Sequence, residues 1–441
     1  MTWNVVVSLG SLALMLVLIY CGMHVAVVLG LLSFVGVWLI KADVEIAANL
    51  LAQAASDAIA SHIFGVVPLF VLMGFLVAIA DIGKDAFEVA NQLFRKLKGG
   101  LGIATVAANA VFAAITGISI ASAAVFTRVA VPQMLRFGYT PNFAVGVVAG
   151  SSVLGMLIPP SLLMILYGFL ANQSVGAMFT AGIVPGLLLA LAYSVGIIVM
   201  AYAFPSSVYV GGGGTDPDAD DEPRMSVPEM FLKLGPAALL IVVCLGGIYA
   251  GAFTATEAGA VGALLSLVIA LVRRRLDRGK FWQVLVETGH VTVSVSFLII
   301  CANIYTRMLA MSGTPQFLVE SMANAGLGVY GFIAIYVFIV LLLGTIIDSS
   351  SIMLICLPLM LPIAETFQLD LVWFGVVTVV AVEIGLLTPP FGLSVYVIKS
   401  TLNDPRVGLG DIFRGTAPFT AIMFVVLLLL IAFPRLSLVL L

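Results

Sequence analysis

Gly155-Met156-Leu157-Ile158-Pro159-Pro160 lies inside a long apolar run, and Gly385-Leu386-Leu387-Thr388-Pro389-Pro390 repeats it 230 positions later (385 − 155 = 230). The same offset pairs Pro132 with Pro362. A proline inside a helix removes a backbone donor and breaks the helix. In a membrane such a break persists only where the freed carbonyls are buried or bind something. Two breaks at corresponding places in two halves are typical of the binding site of a secondary transporter.

The composition places most of this chain in a lipid bilayer. Of 441 residues, 62% are hydrophobic and 9% are charged, whereas a typical soluble domain is about 25% charged. A net charge of −3, with no clustered basic face, argues against nucleic acid as a partner. The first residues lack the basic region and cleavage site of a signal peptide, so we expect a retained membrane helix there.

The sequence gives no support for an enzyme. It contains no glycine-rich phosphate loop, no nucleophile elbow and no cluster of metal ligands. The four cysteines stand singly in apolar runs, where they are expected to pack rather than to form disulfides. The three histidines are far apart and show no metal-ligand spacing.

Ten apolar segments are long enough to span the hydrocarbon layer, which takes about 20 residues. They are 3–21, 24–40, 63–83, 143–171, 178–204, 234–252, 256–272, 284–310, 373–398 and 417–434. Two further apolar regions, 101–135 and 329–365, are interrupted at Thr116-Gly117-Ile118-Ser119 and at Asp348-Ser349-Ser350-Ser351. Each region is either two spans or one re-entrant hairpin, and the small polar residues at the turn favour the hairpin.

Basic residues orient these segments, because they concentrate in cytoplasmic loops. The two strongest clusters, Arg95-Lys96-Leu97-Lys98 and Arg273-Arg274-Arg275, fall on one side if 101–135 is a hairpin followed by four crossings. A single crossing at 101–135 would separate the clusters. Five crossings then lie between the two hairpins, so the two halves are inverted relative to each other. Both chain termini are expected on the non-cytoplasmic side.

The sequence therefore predicts an all-α polytopic membrane protein with two inverted repeats, each containing a re-entrant hairpin and a helix broken at Pro-Pro. An acidic, glycine-rich linker joins the halves. Residues 41–62 are predicted to form a helix that lies along the membrane interface. The expected division is 1–204 (scaffold helices 1–98, hairpin 101–135, broken helix 143–171, then 178–204), linker 205–232, and 233–441 (scaffold 234–310, hairpin 329–365, broken helix 373–398, then 417–434).

Sodium requires several oxygens that converge without a full negative charge, and a broken membrane helix supplies them as carbonyls and hydroxyls. At the first break the candidate residues are Thr116, Ser119, Ser122, Gly155, Ile158 and Pro160. At the second break they are Gly344, Thr345, Asp348, Ser349, Ser350, Gly385, Thr388 and Phe391. The alternative is that these small residues only allow close helix packing.

Three charged residues in apolar surroundings have two interpretations each, and a fourth has one expected role. Asp348 is either a functional charge at a hairpin tip or the cap of the following helix. Glu383 is either a proton site or a packing partner, and Arg128 either meets an anionic substrate or extends to the membrane surface. Glu257 completes a capping box with Thr254, and capping is its expected role.

Six motifs resemble the large membrane subunit of tripartite ATP-independent periplasmic (TRAP) transporters over nearly the whole chain. They are Pro68-Leu69-Phe70, Gly99-Gly100-Leu101, Gly138-Tyr139, Leu154-Gly155-Met156-Leu157-Ile158-Pro159-Pro160-Ser161, Phe253-Thr254-Ala255-Thr256-Glu257-Ala258 and Gly385-Leu386-Leu387-Thr388-Pro389-Pro390-Phe391-Gly392. The resemblance implies a sodium-driven elevator importer of carboxylates or sialic-acid-like anions in the bacterial inner membrane. It also implies a small four-helix membrane subunit, expected as a separate chain, and a periplasmic substrate-binding protein.

Carried over by motif, the resemblance places sodium ligands at both hairpin tips and both broken helices. These are Ala113, Thr116, Gly155, Ile158, Pro160, Gly344, Gly385, Thr388 and Phe391. Substrate contacts are expected at Ser119, Ser122, Asp348, Ser349 and Ser350. The first tip departs from the usual Ser-Gly-Ser pattern, and Ala113 stands where glycine is common. No organic cofactor is expected.

Two other functions are open at this point. The first is a standalone carboxylate carrier, coupled to sodium or protons, that needs no binding protein. The second is a membrane-embedded enzyme or a passive channel. The two-fold repeat and the lack of paired catalytic residues argue against the enzyme, and a channel would show flux that does not saturate and cannot concentrate substrate.

Overall fold

The computed structural model describes residues 2–60, 65–212, 225–324, 326–390 and 392–441, which are almost entirely helical. The helices of the first half are α1 (Trp3–Tyr20), α2 (Val25–Lys41), α3 (Val44–Ala60), α4 (Val66–Ile79), α5 (Ile82–Phe94), α6 (Gly100–Thr116), α7 (Ser119–Arg136), α8 (Pro141–Ser152), α9 (Leu154–Leu157), α10 (Leu162–Leu170), α11 (Val175–Ala203) and α12 (Pro205–Val208). Most of the predicted acidic linker, at 213–224, lies outside the described residues, as do the last two residues of the predicted interfacial segment and the first two of the segment 63–83.

The second half continues the helical chain. Its helices are α13 (Val227–Ile241), which passes through a π-helical turn at Val242–Gly246 into α14 (Gly247–Tyr249), then α15 (Ala255–Val272), α16 (Arg278–Ser312), α17 (Thr314–Asn324), α18 (Val329–Gly344), α19 (Ser349–Thr366), α20 (Leu371–Leu387), α21 (Leu393–Leu402), α22 (Leu409–Ala432) and α23 (Arg435–Leu438).

The helices occupy the segments predicted to span the membrane. Among the described residues, seven helices are long and apolar enough to cross alone, or up to nine if two bent pairs each count as one span. The sequence did not anticipate that α4 turns by 60° into α5. Helix α5 is amphipathic, and its charged face lies beside the ends of α13 and α15.

The two halves repeat the same elements at the sequence offset of 230. Adding the offset to α7 (Ser119–Arg136) gives Ser349–Thr366, which are the bounds of α19 (349 − 119 = 230). Adding it to 141–157, the residues of α8 and α9, gives 371–387, the bounds of α20. Both Pro-Pro bonds are cis. The fold class predicted from the sequence is therefore confirmed.

Two groups of helices pack into separate layers. Helix α16 packs against α2, α3 and α4, and α4 packs against α15. The hairpins α6–α7 and α18–α19 instead pack against the broken helices α8–α10 and α20–α21, with α22 and α11 around them. We call the first group the scaffold and the second the hairpin body. Helices α4 and α16 meet the hairpin body through α6 and α19.

Local sequence signals begin several of these helices. Thr254 and Glu257 form the predicted capping box of α15: the Thr254 amide donates to Glu257 Oε2 at 2.8 Å, and the Glu257 amide donates to Thr254 Oγ1 at 3.3 Å. At the other end of α15, Arg273 donates to the carbonyl of Ala80 at 3.0 Å and forms an ion pair with Asp85. This ion pair places the end of α4, the start of α5 and the basic cluster on one side of the membrane. That side is the predicted cytoplasmic side.

Candidate functional site

The first broken helix opens at Ile158–Ser161, which we call break 1. Ile158 is extended (ψ 127°), and α10 starts again at Leu162 with Ser161 as its N-cap. Ser161 Oγ accepts from the Met164 amide at 3.3 Å and donates to the carbonyl of Met156. One serine therefore holds both sides of break 1, a role that the sequence analysis did not assign to it. Its position directly after Pro-Pro and before a helix was the available signal.

The turn of hairpin α6–α7, which we call tip 1 (Gly117 and Ile118), is locked against break 1. The Leu162 amide donates to the carbonyl of Gly117 at 3.2 Å. Gly117 has φ +66°, and a Cβ there would lie 2.3 Å from the carbonyl oxygen of Pro160, so the position requires glycine. The structure thus brings together the predicted residues Thr116 and Pro160.

Gly155 completes this cluster on the opposite side of tip 1. A Cβ on Gly155 would lie 3.0 Å from both the Ile118 carbonyl carbon and the Ser119 nitrogen. Ala113, Thr116 and Ser122 are all buried in the same region. Among the predicted residues of the first half, Gly155 and Pro160 therefore lie directly against tip 1, whereas Ile158 is half-buried within break 1.

The second broken helix opens after Leu387, and we call Thr388–Pro390 break 2. Thr388 is extended (ψ 135°), and its hydroxyl donates to the carbonyl of Ile384 at 2.7 Å. Gly344 and Gly385 pack backbone to backbone, since a Cβ on either would lie 2.6 Å from the Cα of the other. These three predicted residues lie where hairpin α18–α19 meets its broken helix. Phe391 lies outside the described residues.

Asp348 ends the turn of hairpin α18–α19, which we call tip 2 (Thr345–Asp348), and caps α19. Its Oδ2 accepts from the amides of Ser350 at 3.1 Å and Ser351 at 3.2 Å. Its Oδ1 accepts a short hydrogen bond from the Ser351 hydroxyl. A carboxylate in this position satisfies free amides and complements the positive end of the helix. The capping interpretation of Asp348 therefore has direct geometric support.

Glu383 is a fully buried carboxyl group near the C-terminal end of α20, which ends at Leu387. The Ser349 hydroxyl donates to its Oε1 at 3.2 Å. The Ser119 hydroxyl also lies beside the carboxyl group, but the two do not form a hydrogen bond in this structure. Glu383 thus lies beside the first residues of α7 and α19, which are the second helices of the two hairpins and which we call the return helices. The sequence left two interpretations of Glu383 open. The internal repeat did not point to this residue, because Val153 occupies the equivalent position of the first half.

A cavity of about 510 Å³ separates tip 2 from the scaffold. One wall is the turn between α1 and α2 together with the middle of α16, and the other is tip 2 with the start of α21. Its lining residues are Ile19, Gly22, Met23, His24, Val25, Ser294, Val295, Leu298, Ile346, Ile347, Asp348, Ser350, Ser351 and Leu393. The α1–α2 turn lies on the side of the basic clusters, because α2 and α4 carry the chain across the membrane and back.

Lysine and arginine are absent from the lining of this cavity in the part of the chain that the structure describes. Arg128, the predicted alternative anion contact, is exposed on the surface of α7. It lies eight residues, or about 12 Å, before the end of its helix.

Inverted helical repeats whose broken helices meet two hairpin tips define the chain as a secondary transporter. Residues 12–436 match the family model described as the tripartite ATP-independent periplasmic transporter, DctM component. The chain belongs to this family of large TRAP permeases, and it is a transport protein rather than an enzyme. Members of the family work with a small membrane subunit and a periplasmic binding protein.

Relatives with named substrates are similar to nearly the full length of this chain. It is 35% identical to a C4-dicarboxylate TRAP large permease of Pseudomonas aeruginosa, over 85% of each chain. It is 32% identical to a sialic acid TRAP large permease of Vibrio cholerae, over 89% of each chain. It is 28% identical to an ectoine TRAP large permease of Halomonas elongata, over 84% of each chain.

Two solved transporters share the fold at low sequence identity. The YdaH transporter of Alcanivorax borkumensis aligns with a TM-score of 0.60 at 12% identity, over 87% of each chain. MtrF of Neisseria gonorrhoeae aligns with a TM-score of 0.60 at 13% identity, over 90% of this chain and 85% of that one. These likenesses extend to the fold alone.

Proposed function

We propose that this chain is the large membrane subunit of a sodium-coupled importer of a small organic anion, in the bacterial inner membrane. A periplasmic binding protein delivers the substrate, and a separate small membrane subunit completes the complex. The relatives transport C4-dicarboxylates, sialic acid and ectoine, which favours a substrate that carries a carboxylate. The proposal goes beyond family membership in its coupling ion, its mechanism and its binding residues.

The charge distribution at the tips is the observation that carries sodium coupling. The Asp348 carboxylate borders the tip cavity, whereas the described lining of the cavity supplies no lysine or arginine. An organic anion that enters this region is repelled unless cations bind with it. Sodium bound first at the tips removes that repulsion.

Backbone oxygens around the two breaks supply the sodium ligands in this proposal. The first set comes from Ala113, Thr116, Gly155, Ile158 and Pro160, and the second from Gly344, Gly385, Thr388 and Phe391. Helices that end at Leu157 and Leu387 leave carbonyls without helical partners. Each sodium ion that enters gains about 2.3 kcal/mol per 100 mV of membrane potential. With two or more ions per monoanion, uptake carries net positive charge inward.

Substrate recognition is proposed at Ser119 and Ser122 of tip 1 and at Asp348, Ser349 and Ser350 of tip 2. Ser119 and Ser122 are fully buried, and their hydroxyls have no partner within the described residues. Hydroxyl donors of this kind suit a carboxylate oxygen. The Asp348 carboxylate contributes by holding the start of α19, where Ser350 and Ser351 line the cavity.

An elevator movement of the hairpin body against the scaffold is the proposed transport step. The tip cavity lies between these two groups of helices and reaches the side of the basic clusters. This arrangement corresponds to a conformation that releases substrate into the cytoplasm. In the opposite conformation the hairpin body would present the same tips to the periplasm.

Uptake into proteoliposomes tests the proposed function. Vesicles that contain this chain and the small subunit receive an inward sodium gradient, a labelled C4-dicarboxylate or sialic acid, and the cognate binding protein. We expect accumulation that requires sodium, the binding protein and both membrane subunits. Accumulation by this chain alone would establish a standalone carrier instead. Equilibration without sodium would rule out the coupling.

A further inference from the structure

One carboxyl group lies between two serines that are equivalent in the internal repeat. The offset of 230 relates Ser119 to Ser349, and each is the first residue of its hairpin return helix. Ser349 donates to Glu383 Oε1 at 3.2 Å, and Ser119 lies beside the same carboxyl group. The acid itself has no counterpart, because Val153 occupies the equivalent position. A single residue from the second half therefore serves both halves.

The polar atoms of this cluster complement one another. Glu383 Oε2 and Ser119 Oγ are buried and lack partners within the described ranges. The first is an acceptor and the second is a donor, and they belong to residues that already lie side by side. A buried carboxyl oxygen without a partner is costly in an apolar core. A small shift of tip 1 would form the missing hydrogen bond.

The surroundings of Glu383 favour this role over packing alone. Its carboxyl group faces the N-terminal residues of two helices, α7 and α19, where the helix dipoles favour negative charge. The N-cap of α7 is Ile118, whose side chain has no oxygen to accept the first amides. A residue that only filled space in this position would need no polar group.

We propose that Glu383 is the positioning residue that couples the two hairpin tips. Its carboxyl group accepts a hydrogen bond from Ser349 in the present structure, and it also accepts one from Ser119 when sodium binds at break 1. Occupation of one sodium site then orders the other tip, so the ions bind cooperatively. This inference rests on the proposed sodium coupling.

Sodium titrations of purified protein and of transport test the proposal. In detergent, sodium raises the melting temperature by binding the folded state, which reports sodium binding without requiring transport. In proteoliposomes, the initial rate at saturating substrate reports the same dependence. We expect Glu383→Gln to raise the half-saturating sodium concentration about three- to tenfold, the factor that corresponds to one lost hydrogen bond. The Hill coefficient for sodium should fall towards one.

A double-mutant cycle separates coupling from packing. Ser119→Ala and Ser349→Ala should each lower sodium affinity in the normal chain and have no further effect in the Glu383→Gln background. The substrate KM at saturating sodium should change less than about twofold in Glu383→Gln, since an effect within one factor of two is below one hydrogen bond. Thr127→Val is the matched control, because the buried Thr127 hydroxyl donates to the Ala123 carbonyl of its own helix and has no other partner in the part of the chain that the structure describes.

The outcomes separate this inference from the proposed function. Additive effects of the serine and glutamate changes would overturn the coupling role, as would a sodium curve for Glu383→Gln that matches the unaltered protein. A loss of melting temperature that is the same with and without sodium would show that Glu383 only packs. If the unaltered protein shows no sodium dependence, the proposed function itself fails.

Discussion

Tip 1 and tip 2 have the same backbone plan but different surroundings. Beside tip 1, Pro159 and Pro160 of break 1 are buried, and a main-chain hydrogen bond joins Gly117 to Leu162. In the second half, Pro389 and Pro390 of break 2 are exposed, and tip 2 borders the cavity of about 510 Å³. The internal repeat therefore preserves the helix bounds while the packing around the two tips differs.

The N-caps of the two return helices, α7 and α19, also differ. Helix α19 has its own acidic cap, Asp348, whereas the equivalent residue before α7 is Ile118. The positive end of α7 instead faces Glu383, which comes from the other half of the molecule. Tip 1 is therefore held by its contacts with break 1 and with Glu383. Tip 2 is capped by its own residue Asp348 and borders the cavity that we propose as the substrate path.

The largest expected effect comes from breaking the lock at tip 1. Gly117→Ala adds a Cβ only 2.3 Å from the Pro160 carbonyl oxygen at φ +66°. We expect a cost of ~1–2 kcal/mol for the left-handed backbone and ~1–3 kcal/mol for the clash, with loss of transport. Gly138→Ala is the control, because Gly138 has φ +76° and open space around it. Melting temperatures and uptake of the two variants measure the difference, and equal losses would contradict the lock.

A second pair of variants compares how closely each broken helix approaches its hairpin. Gly385→Ala would place a Cβ 2.6 Å from the Cα of Gly344, whereas Gly155→Ala would place one 3.0 Å from the nearest atoms of tip 1. We expect a loss of ~1–3 kcal/mol for Gly385→Ala and a smaller one for Gly155→Ala. Thermal unfolding in detergent measures both. The reverse order would show that the first half is the more closely packed one.

Asp348 variants distinguish a cap from a charge. Asp348→Ala removes the cap of α19 and should cost ~1 kcal/mol of stability, whereas Asp348→Asn keeps an oxygen acceptor and should keep the melting temperature. Because we propose that the Asp348 charge favours sodium, Asp348→Asn should nevertheless raise the half-saturating sodium concentration. Transport by Asp348→Asn with an unchanged sodium dependence would reduce Asp348 to a cap.

The smallest expected effect concerns the hydroxyl at break 2. Thr388→Val removes a group that break 1 lacks already, since Ile158 is the equivalent residue. If backbone carbonyls provide most of the sodium ligands, the half-saturating sodium concentration should rise by about threefold or less. Thr416→Val is a matched control, because within the described residues its buried hydroxyl donates to the Ile412 carbonyl of its own helix and has no other partner. Complete loss of sodium dependence in Thr388→Val would make the hydroxyl an essential ligand.

The sequence predicted the repeated architecture because prolines and long apolar runs have strong local consequences. The Pro-Pro breaks, both hairpins and the α15 capping box follow from such local rules. The role of Glu383 could not be predicted in the same way, because it depends on packing between α20 and two helices distant in sequence. The 60° turn between α4 and α5 was missed because the apolar run extends beyond the end of α4.

Cysteine accessibility measures the difference between the two tips. Single cysteines at Ser350 and Ser122 are introduced into a chain whose four native cysteines have been replaced, and a membrane-impermeant thiol reagent is applied from the cytoplasmic side. We expect Ser350→Cys to react and to be protected by sodium plus substrate, whereas Ser122→Cys stays unlabelled. Equal labelling of the two positions, or labelling of Ser350→Cys only from the periplasm, would contradict the account.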